Sequence, residues 1–148
     1  MATSSTAVQY GVATKSVASG AVVLLGRIFF SLIFITAGLN HFSPQTIAYA
    51  ASAGVPMASI LVPFSGVMAF IGGLSILLGY RGRIGAWVIV LFLIPITLTM
   101  HSFWAVHDVA LAQDQMAHFF KNVSMLGGAL LISQLGTGPY SLDARRSS

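Results

Sequence analysis

The sequence contains no cysteine, no glutamate and only three aspartates in 148 residues. Without cysteine, the chain cannot form disulfides, CxxC redox relays, thiolate zinc sites or covalently attached c-type haem. Any redox chemistry therefore requires a bound cofactor or a partner protein. The charged fraction is 7%, whereas a soluble domain carries roughly 25% charged residues. This composition excludes an acidic solvating protein, a disordered tail and a coiled coil.

Hydrophobic residues are in excess, at 56% of the sequence with a mean hydropathy of +0.87. Four apolar stretches are each about 20 residues long, the length that a helix needs to cross a bilayer. They lack the alternation of membrane strands, and backbone amides in lipid need internal partners. We therefore predict an all-α, integral membrane four-helix bundle. The predicted spans cover residues 21–39, 55–78, 84–104 and 116–135.

The distribution of basic residues predicts the topology of these spans. Residues 1–20 form a flexible N-terminal tail, residues 21–135 the transmembrane domain and residues 136–148 a C-terminal tail. Two of the connections, 43–54 and 105–114, contain no Lys or Arg. The tails and the turn between spans two and three carry Lys15, Arg81, Arg83, Arg145 and Arg146. The positive-inside rule places both termini in the cytoplasm, so the basic excess sets topology and we expect no nucleic-acid partner.

Local signals in the connections and spans predict further features. Ser43 and Pro44 start a short interfacial helix between spans one and two, and Gly54 ends it. The tight turn GYRGRIG makes spans two and three antiparallel neighbours. Small residues on spans two and four indicate close helix packing. Pro95 removes the usual donor of the Leu91 carbonyl, which indicates either a kink alone or a carbonyl facing a cavity.

Polar residues recur at helical spacing within three of the spans, so each span has one polar face. Because buried charge is costly in lipid, the simplest arrangement turns these faces toward one another. Arg27 and Lys121 have an alternative, which is snorkelling to the headgroups, and Trp104 is also typical of an aromatic belt. The faces comprise Arg27, Ser31, Phe34, Gly38 and His41 in span one; Thr97, His101, Trp104 and Asp108 in span three; and His118, Lys121, Asn122 and Met125 in span four.

The four histidines lie toward the predicted outer side, but their spacing argues against a metal. No pair has the HxxxH spacing, and neither Cys nor Glu is present to assist. We therefore predict no metal site, and we do not favour haem held by histidines of two helices. The candidate ligand-binding residues are Arg27, His41, His101, Trp104, His118, Lys121 and Asn122.

Several segments resemble the DoxX family of small four-helix membrane proteins, over about three-quarters of the chain. The resemblance is carried by LGRIFFSLIFITAGLNHF, IGGLSILLGYRGRIGAWVIVLFLIPITLTMHSFW, FFKNVSMLGGALLI and the end GTGPYSLDARR. It implies a multi-pass protein of the bacterial inner membrane with a link to redox metabolism. Named members of the family include a quinone-reducing oxidoreductase subunit. Family members commonly carry a Glu where this chain has Ala69, so this chain lacks that carboxylate.

Three functions are compatible with this pattern. The first is a redox accessory or oxidoreductase subunit that binds quinone near the outer leaflet. Lys121, His101 and Asn122 would donate hydrogen bonds to the carbonyls, Trp104 or a Phe would pack on the ring, and His118 or His41 would relay protons. Since nothing in the chain supplies electrons, this function needs a redox partner subunit. The second is a non-catalytic scaffold subunit in a larger complex, and the third is a small transporter that would need a homo-oligomer.

Overall fold

The chain is helical almost throughout, as the apolar stretches predict. A computed structural model describes the backbone of residues 3–146 and the side chains of residues 19–146. No β-strand occurs within residues 3–146. The helices are α1 (Thr3–Asn40), α2 (Pro44–Ser52), α3 (Ala58–Leu78), α4 (Gly82–Met100), α5 (Val109–Leu135) and α6 (Leu142–Arg146), with a 3-10 turn at Phe103–Ala105.

The long helices form an antiparallel bundle in which α1 packs on α3, α3 on α4, and α4 on α5. All four contribute to one core cluster, which includes Phe34, Ile76, Ile89, Leu93 and Ala129. This order leaves two distinct ends. The arginine end comprises the α3–α4 turn, Arg27 and residues 136–146. The histidine end comprises the end of α1 with His41, α2, the end of α4 with His101, and the start of α5.

Glycines allow α3 to approach both of its neighbours closely. A Cβ at Gly38 of α1 would lie 2.8 Å from the Gly66 carbonyl oxygen of α3. On the other side of α3, a Cβ at Gly72 would lie 3.0 Å from the Gly85 oxygen of α4. Backbones this close have no room for a side chain between them, which is how small residues drive helix packing in lipid.

Three segments are long and apolar enough to cross a membrane: Ser19–Asn40, Ala58–Leu78 and Gly82–Ala105. They match the first three predicted spans. The fourth predicted span, 116–135, lies within α5, but α5 falls short in hydropathy because His118, Lys121 and Asn122 interrupt it. The fourth crossing therefore stays a prediction, as does the cytoplasmic location of the termini.

The connections at the two ends follow the local sequence signals. At the histidine end, the Ser43 hydroxyl accepts a hydrogen bond from the Thr46 N–H at 3.2 Å, and Pro44 opens α2 as predicted. At the arginine end, Gly79 has a φ of 63° and ends α3, so that α4 can begin at Gly82. The predicted short helix between spans one and two and the antiparallel pairing of spans two and three are both confirmed, while the interfacial position of that helix stays a prediction.

The predicted boundary at residue 20 does not coincide with a helix end, because α1 begins at Thr3. Residues 3–20 contain no proline, and extending an existing helix costs far less than starting one. The flexibility of residues 1–20 stays a prediction. Residues 137–146 lie against the bundle at the arginine end, where the Asp143 N–H donates to the Gly79 carbonyl at 2.8 Å.

Candidate functional site

A cavity of about 730 Å³ opens at the histidine end, between α2, α3, α4 and the end of α1. Its walls are mostly apolar and include Met68, Phe92 and Ile96. Such a volume with few polar groups is typical of small-molecule sites. The polar groups at its wall are His41, Thr46, Ser65 and Thr99. Of the predicted site residues, only His41 lines this cavity.

Hydrogen bonds determine which nitrogen of His41 carries a proton. The Ser65 hydroxyl donates to the Val62 carbonyl at 2.7 Å, so its oxygen is left to accept. His41 Nδ1 therefore donates to Ser65 Oγ, at 2.9 Å. The other ring nitrogen, Nε2, has no hydrogen-bond partner in the described part of the chain. A neutral His41 thus has one nitrogen left to accept a proton from a ligand.

Two features of the surroundings keep the His41 ring neutral and in place. Burial lowers the pKa of His41 below its ordinary value. An interaction with the Val62 backbone raises the pKa, but by less than burial lowers it. The ring also packs on Phe92, with centroids 5.8 Å apart. The imidazole is therefore a neutral acceptor at pH 7, held between an aromatic ring and a hydroxyl.

Pro95 belongs to the same cavity. It lies inside α4, and both Pro95 and Leu91 line the cavity wall. Since proline has no N–H, the Leu91 carbonyl loses its usual helical donor. The carbonyl of Pro95 itself accepts a hydrogen bond from Thr99 Oγ1 at 2.7 Å. The stretch of α4 that proline interrupts therefore lies at the cavity wall.

A second polar cluster joins α4 and α5 at the same end, and it brings together three of the predicted residues. The rings of His101 and His118 stack with centroids 5.2 Å apart. Lys121 donates to His118 Nδ1 at 2.8 Å, and His101 Nδ1 donates to the Gln115 side-chain oxygen at 2.8 Å. Lys121 is exposed, and none of the three predicted residues lines the cavity. The arrangement is a polar cluster in which the two imidazole rings stack and each bonds to a side chain of α5.

The two aspartates near the start of α5 contact groups other than Lys121. Asp114 lies 3.7 Å from His118 Nε2, so it reaches the cluster through the histidine. Asp108 caps the start of α5, where its side chain accepts from the Leu111 N–H at 2.9 Å. The predicted polar face Thr97–His101–Trp104–Asp108 is wrong beyond His101, because α4 ends at Met100.

Trp104 and Asn122 belong neither to the cavity wall nor to the cluster of His101, His118 and Lys121. Trp104 is 60% exposed and packs edge-on against Phe103 and Phe119. This placement suits an aromatic belt residue. Asn122 is 5% exposed, yet its amide has no hydrogen-bond partner among the described residues. Neither residue lines the cavity.

Arg27 lies at the arginine end, far along α1 from His41. It is buried, and its guanidinium donates to the Thr137 carbonyl at 2.9 Å and to the Tyr140 carbonyl at 2.8 Å. It therefore does not snorkel. Its Nε and the Ser31 hydroxyl, one turn further along α1, are buried without partners in the described structure. Arg27 ties the C-terminal segment to α1 and has no contact with the cavity.

The face of span one was correctly predicted, since Arg27, Ser31, Phe34 and Gly38 are buried.

Sequence reasoning missed Ser65 and Thr99 as site residues. Ser65 meets His41 only through the packing of α1 on α3, which brings together two residues 24 positions apart in the sequence. Among residues 3–146, no three His, Asp or Glu side chains lie close enough to hold a metal ion.

The DoxX family model matches residues 22–102 of this chain. That range includes every residue that lines the cavity, and it ends before α5. No solved structure matches the chain.

Individual relatives agree with this match. Inner membrane protein YphA of Escherichia coli K12 is 32% identical over 126 residues, which cover 84% of this chain and 89% of YphA. Inner membrane protein YqjF of the same organism is 33% identical over 123 residues, which cover 82% of this chain and 88% of YqjF. The ER-derived vesicles protein ERV29 of Saccharomyces cerevisiae is 26% identical over 84 residues, which cover 56% of this chain and 26% of ERV29. The chain is therefore similar to bacterial inner-membrane proteins along most of its length.

Proposed function

The chain belongs to the DoxX family, and from this premise we propose that it binds a quinone in the cavity beside His41 and acts as a redox-linked accessory subunit. It is a multi-pass protein of the bacterial inner membrane, as its relatives and its apolar helices indicate. Membrane quinones are apolar rings that carry two oxygens. The cavity at the histidine end has mostly apolar walls with a few polar groups, which suits a ligand of this kind.

The observation that carries this proposal is the unpartnered Nε2 of His41 at a cavity of about 730 Å³. A quinol hydroxyl can donate to this nitrogen. After the imidazole takes up a proton, the same nitrogen can donate to a quinone carbonyl. Phe92 beside the imidazole offers an aromatic edge to the ring. The apolar remainder of the wall suits the rest of the ligand.

The cluster of His101, His118 and Lys121 is proposed to move protons rather than to hold the ring. His101 directly follows Met100, which lines the cavity, and it stacks on His118 of α5. Lys121 and Asp114 connect His118 to the exposed surface. Each oxygen of a reduced quinone gains a proton, so a proton path from the outer side suits this chemistry. The electrons would come from a partner subunit.

A titration with a short-chain quinone and its quinol tests this function. The purified protein in detergent is titrated while Trp fluorescence is followed, with His41→Phe as the test variant and His107→Phe as its control. Phe keeps a ring at position 41 but removes both nitrogens. His107 is an exposed residue of the loop before α5 and does not line the cavity.

We expect His41→Phe to weaken binding about threefold to tenfold, the effect of one neutral hydrogen bond, and His107→Phe to leave it unchanged. Identical curves for the two variants and the wild type would show only partition into the detergent. That result would contradict the proposal and favour a scaffold role.

The scaffold function receives less support from the packing. Most of the small residues that could serve assembly are used inside the bundle: Gly38 and Gly66 join α1 to α3, and Gly72 and Gly85 join α3 to α4. Gly128 is covered by Phe30 of α1. A scaffold would need other surfaces for its partners.

We also propose a topology of four spans with both termini in the cytoplasm. α5 is long, and its outward side chains include Phe120, Val123, Leu130 and Leu131, all exposed as lipid-facing residues would be. The basic residues of the connections lie at the arginine end, which the positive-inside rule assigns to the cytoplasm. A reporter fused after Ser148 should be active in the cytoplasm. Activity of alkaline phosphatase at that position would overturn the topology.

A further inference from the structure

A second cavity, of about 630 Å³, lies at the arginine end and has no part in the proposed quinone site. Arg81 and Arg83 at the start of α4 line one side of it, and Arg146 of α6 lines the other. All three side chains belong to exposed residues. The Asp143 carboxylate also lines the cavity, so three guanidinium groups and one carboxylate leave the site with a net positive charge. Guanidinium groups bind phosphate oxygens with good geometry.

Local structure positions these arginines. The Asp143 carboxylate accepts from the backbone N–H of Arg81 at 2.8 Å and from that of Gly82 at 2.9 Å, which holds α6 against the start of α4. The Tyr80 ring lies 4.9 Å from the Arg146 guanidinium carbon and 6.0 Å from that of Arg81. Cation–π contacts of this kind hold both side chains near the cavity.

An apolar wall adjoins the charged one. Ile84 of α4 and Leu135 of α5 line the cavity and are 58% and 76% exposed. Further toward the middle of the bundle, Trp87 and Leu131 are also exposed. Free phosphate would use only the arginines. An amphiphile would use both parts, because its chains can lie along these apolar side chains.

We propose that this cavity binds the phosphate headgroup of an anionic phospholipid, whose acyl chains lie along α4 and α5. Basic pockets between helices at the cytoplasmic side are a recurrent way to recognise anionic lipids. The bound lipid bridges the α3–α4 turn and the C-terminal segment. The site would exist whether or not the opposite cavity binds a quinone.

The test compares phosphatidylglycerol with phosphatidylcholine of the same acyl chains, added to purified full-length protein in detergent. Native mass spectrometry counts the bound lipid. The test variants are Arg83→Gln and Arg146→Gln. Arg145→Gln is the matched control, because it removes the same charge from the neighbouring position of α6 but does not line the cavity.

We expect tighter binding of phosphatidylglycerol, and a loss of about fivefold in its affinity with each test variant. Arg145→Gln should bind as the wild type does, and melting curves without added lipid should coincide for all four proteins. Equal binding of the two lipids, or an equal loss in Arg145→Gln, would overturn the proposal. Inorganic phosphate should neither displace phosphatidylglycerol nor raise the melting temperature as much as the lipid does. If it does both, the proposal is overturned and the cavity is a site for free phosphate.

Discussion

The two ends of the bundle hold their polar side chains in different ways. At the arginine end, Arg27 and Asp143 bond to main-chain groups more than 60 positions away in sequence, and the C-terminal segment covers the end. At the histidine end, His41 and His101 bond to other side chains, and His41 Nε2 has no partner among the described residues. Side chains bonded to the main chain stabilise the fold, whereas spare nitrogens at a cavity can serve a ligand. Substitutions at the two ends should therefore affect different measurements.

The largest effect is expected from Arg27→Met. The variant leaves the Thr137 and Tyr140 carbonyls without their charged donor, which should lower the free energy of unfolding by about 3 kcal/mol. Thermal melts in one detergent measure this loss. Arg83→Met, which removes an exposed guanidinium from the same end, is the control. A melting temperature for Arg27→Met equal to that of the control would mean that the C-terminal segment is not held by Arg27.

Gly38→Ala should follow, with a loss of about 2 kcal/mol. The new Cβ would lie 2.8 Å from both the Gly66 oxygen and the Phe70 nitrogen, so α1 and α3 must move apart beside the cavity. Gly127→Ala on α5 is the matched control, because a Cβ there meets nothing within 4 Å. It should be neutral or stabilising by up to about 1 kcal/mol, since alanine favours helix. Similar melting curves for the two variants would refute close α1–α3 contact.

The two helix caps allow a direct comparison of the ends. Asp143→Ala removes two hydrogen bonds at the start of α4, and Asp108→Ala removes one at the start of α5. We expect losses of about 1.5 kcal/mol and about 1 kcal/mol. Chemical unfolding of both variants under the same conditions gives the difference. A larger loss for Asp108→Ala would show that the arginine end depends less on its cap than the geometry indicates.

The smallest effect is expected from Lys121→Met. Its ammonium is exposed and bonds to His118 on the same helix, so stability should change by less than about 0.5 kcal/mol. Its quinone affinity should stay close to that of the wild type, while His41→Phe loses affinity. If Lys121→Met binds the quinone more weakly than the wild type while His41→Phe binds it equally well, the quinone site lies at the α4–α5 cluster and not in the cavity.

Much of the helical architecture could be predicted because it depends on local periodicity. The apolar stretches located the helices of the first three spans, and Ser43 with Pro44 located α2. Helical spacing also identified the buried face of α1. The same reasoning failed on α4, where the face was extended past Met100 although the helix ends there. Periodicity cannot reveal where a helix ends when the residues that follow, here 101–106, include neither proline nor glycine.

By itself, the sequence determined which side chains share a helix face, because a period of 3.6 residues is a property of the backbone. Only the tertiary structure decided which faces meet and where a gap remains. The glycine pairs bring α1, α3 and α4 together, and the cavity opens beside Pro95 at the end of that contact. Likewise, Arg27 finds its partners 110 and 113 positions along the chain. Contacts over such separations depend on how volumes fit between helices, and no local pattern in the sequence records that fit.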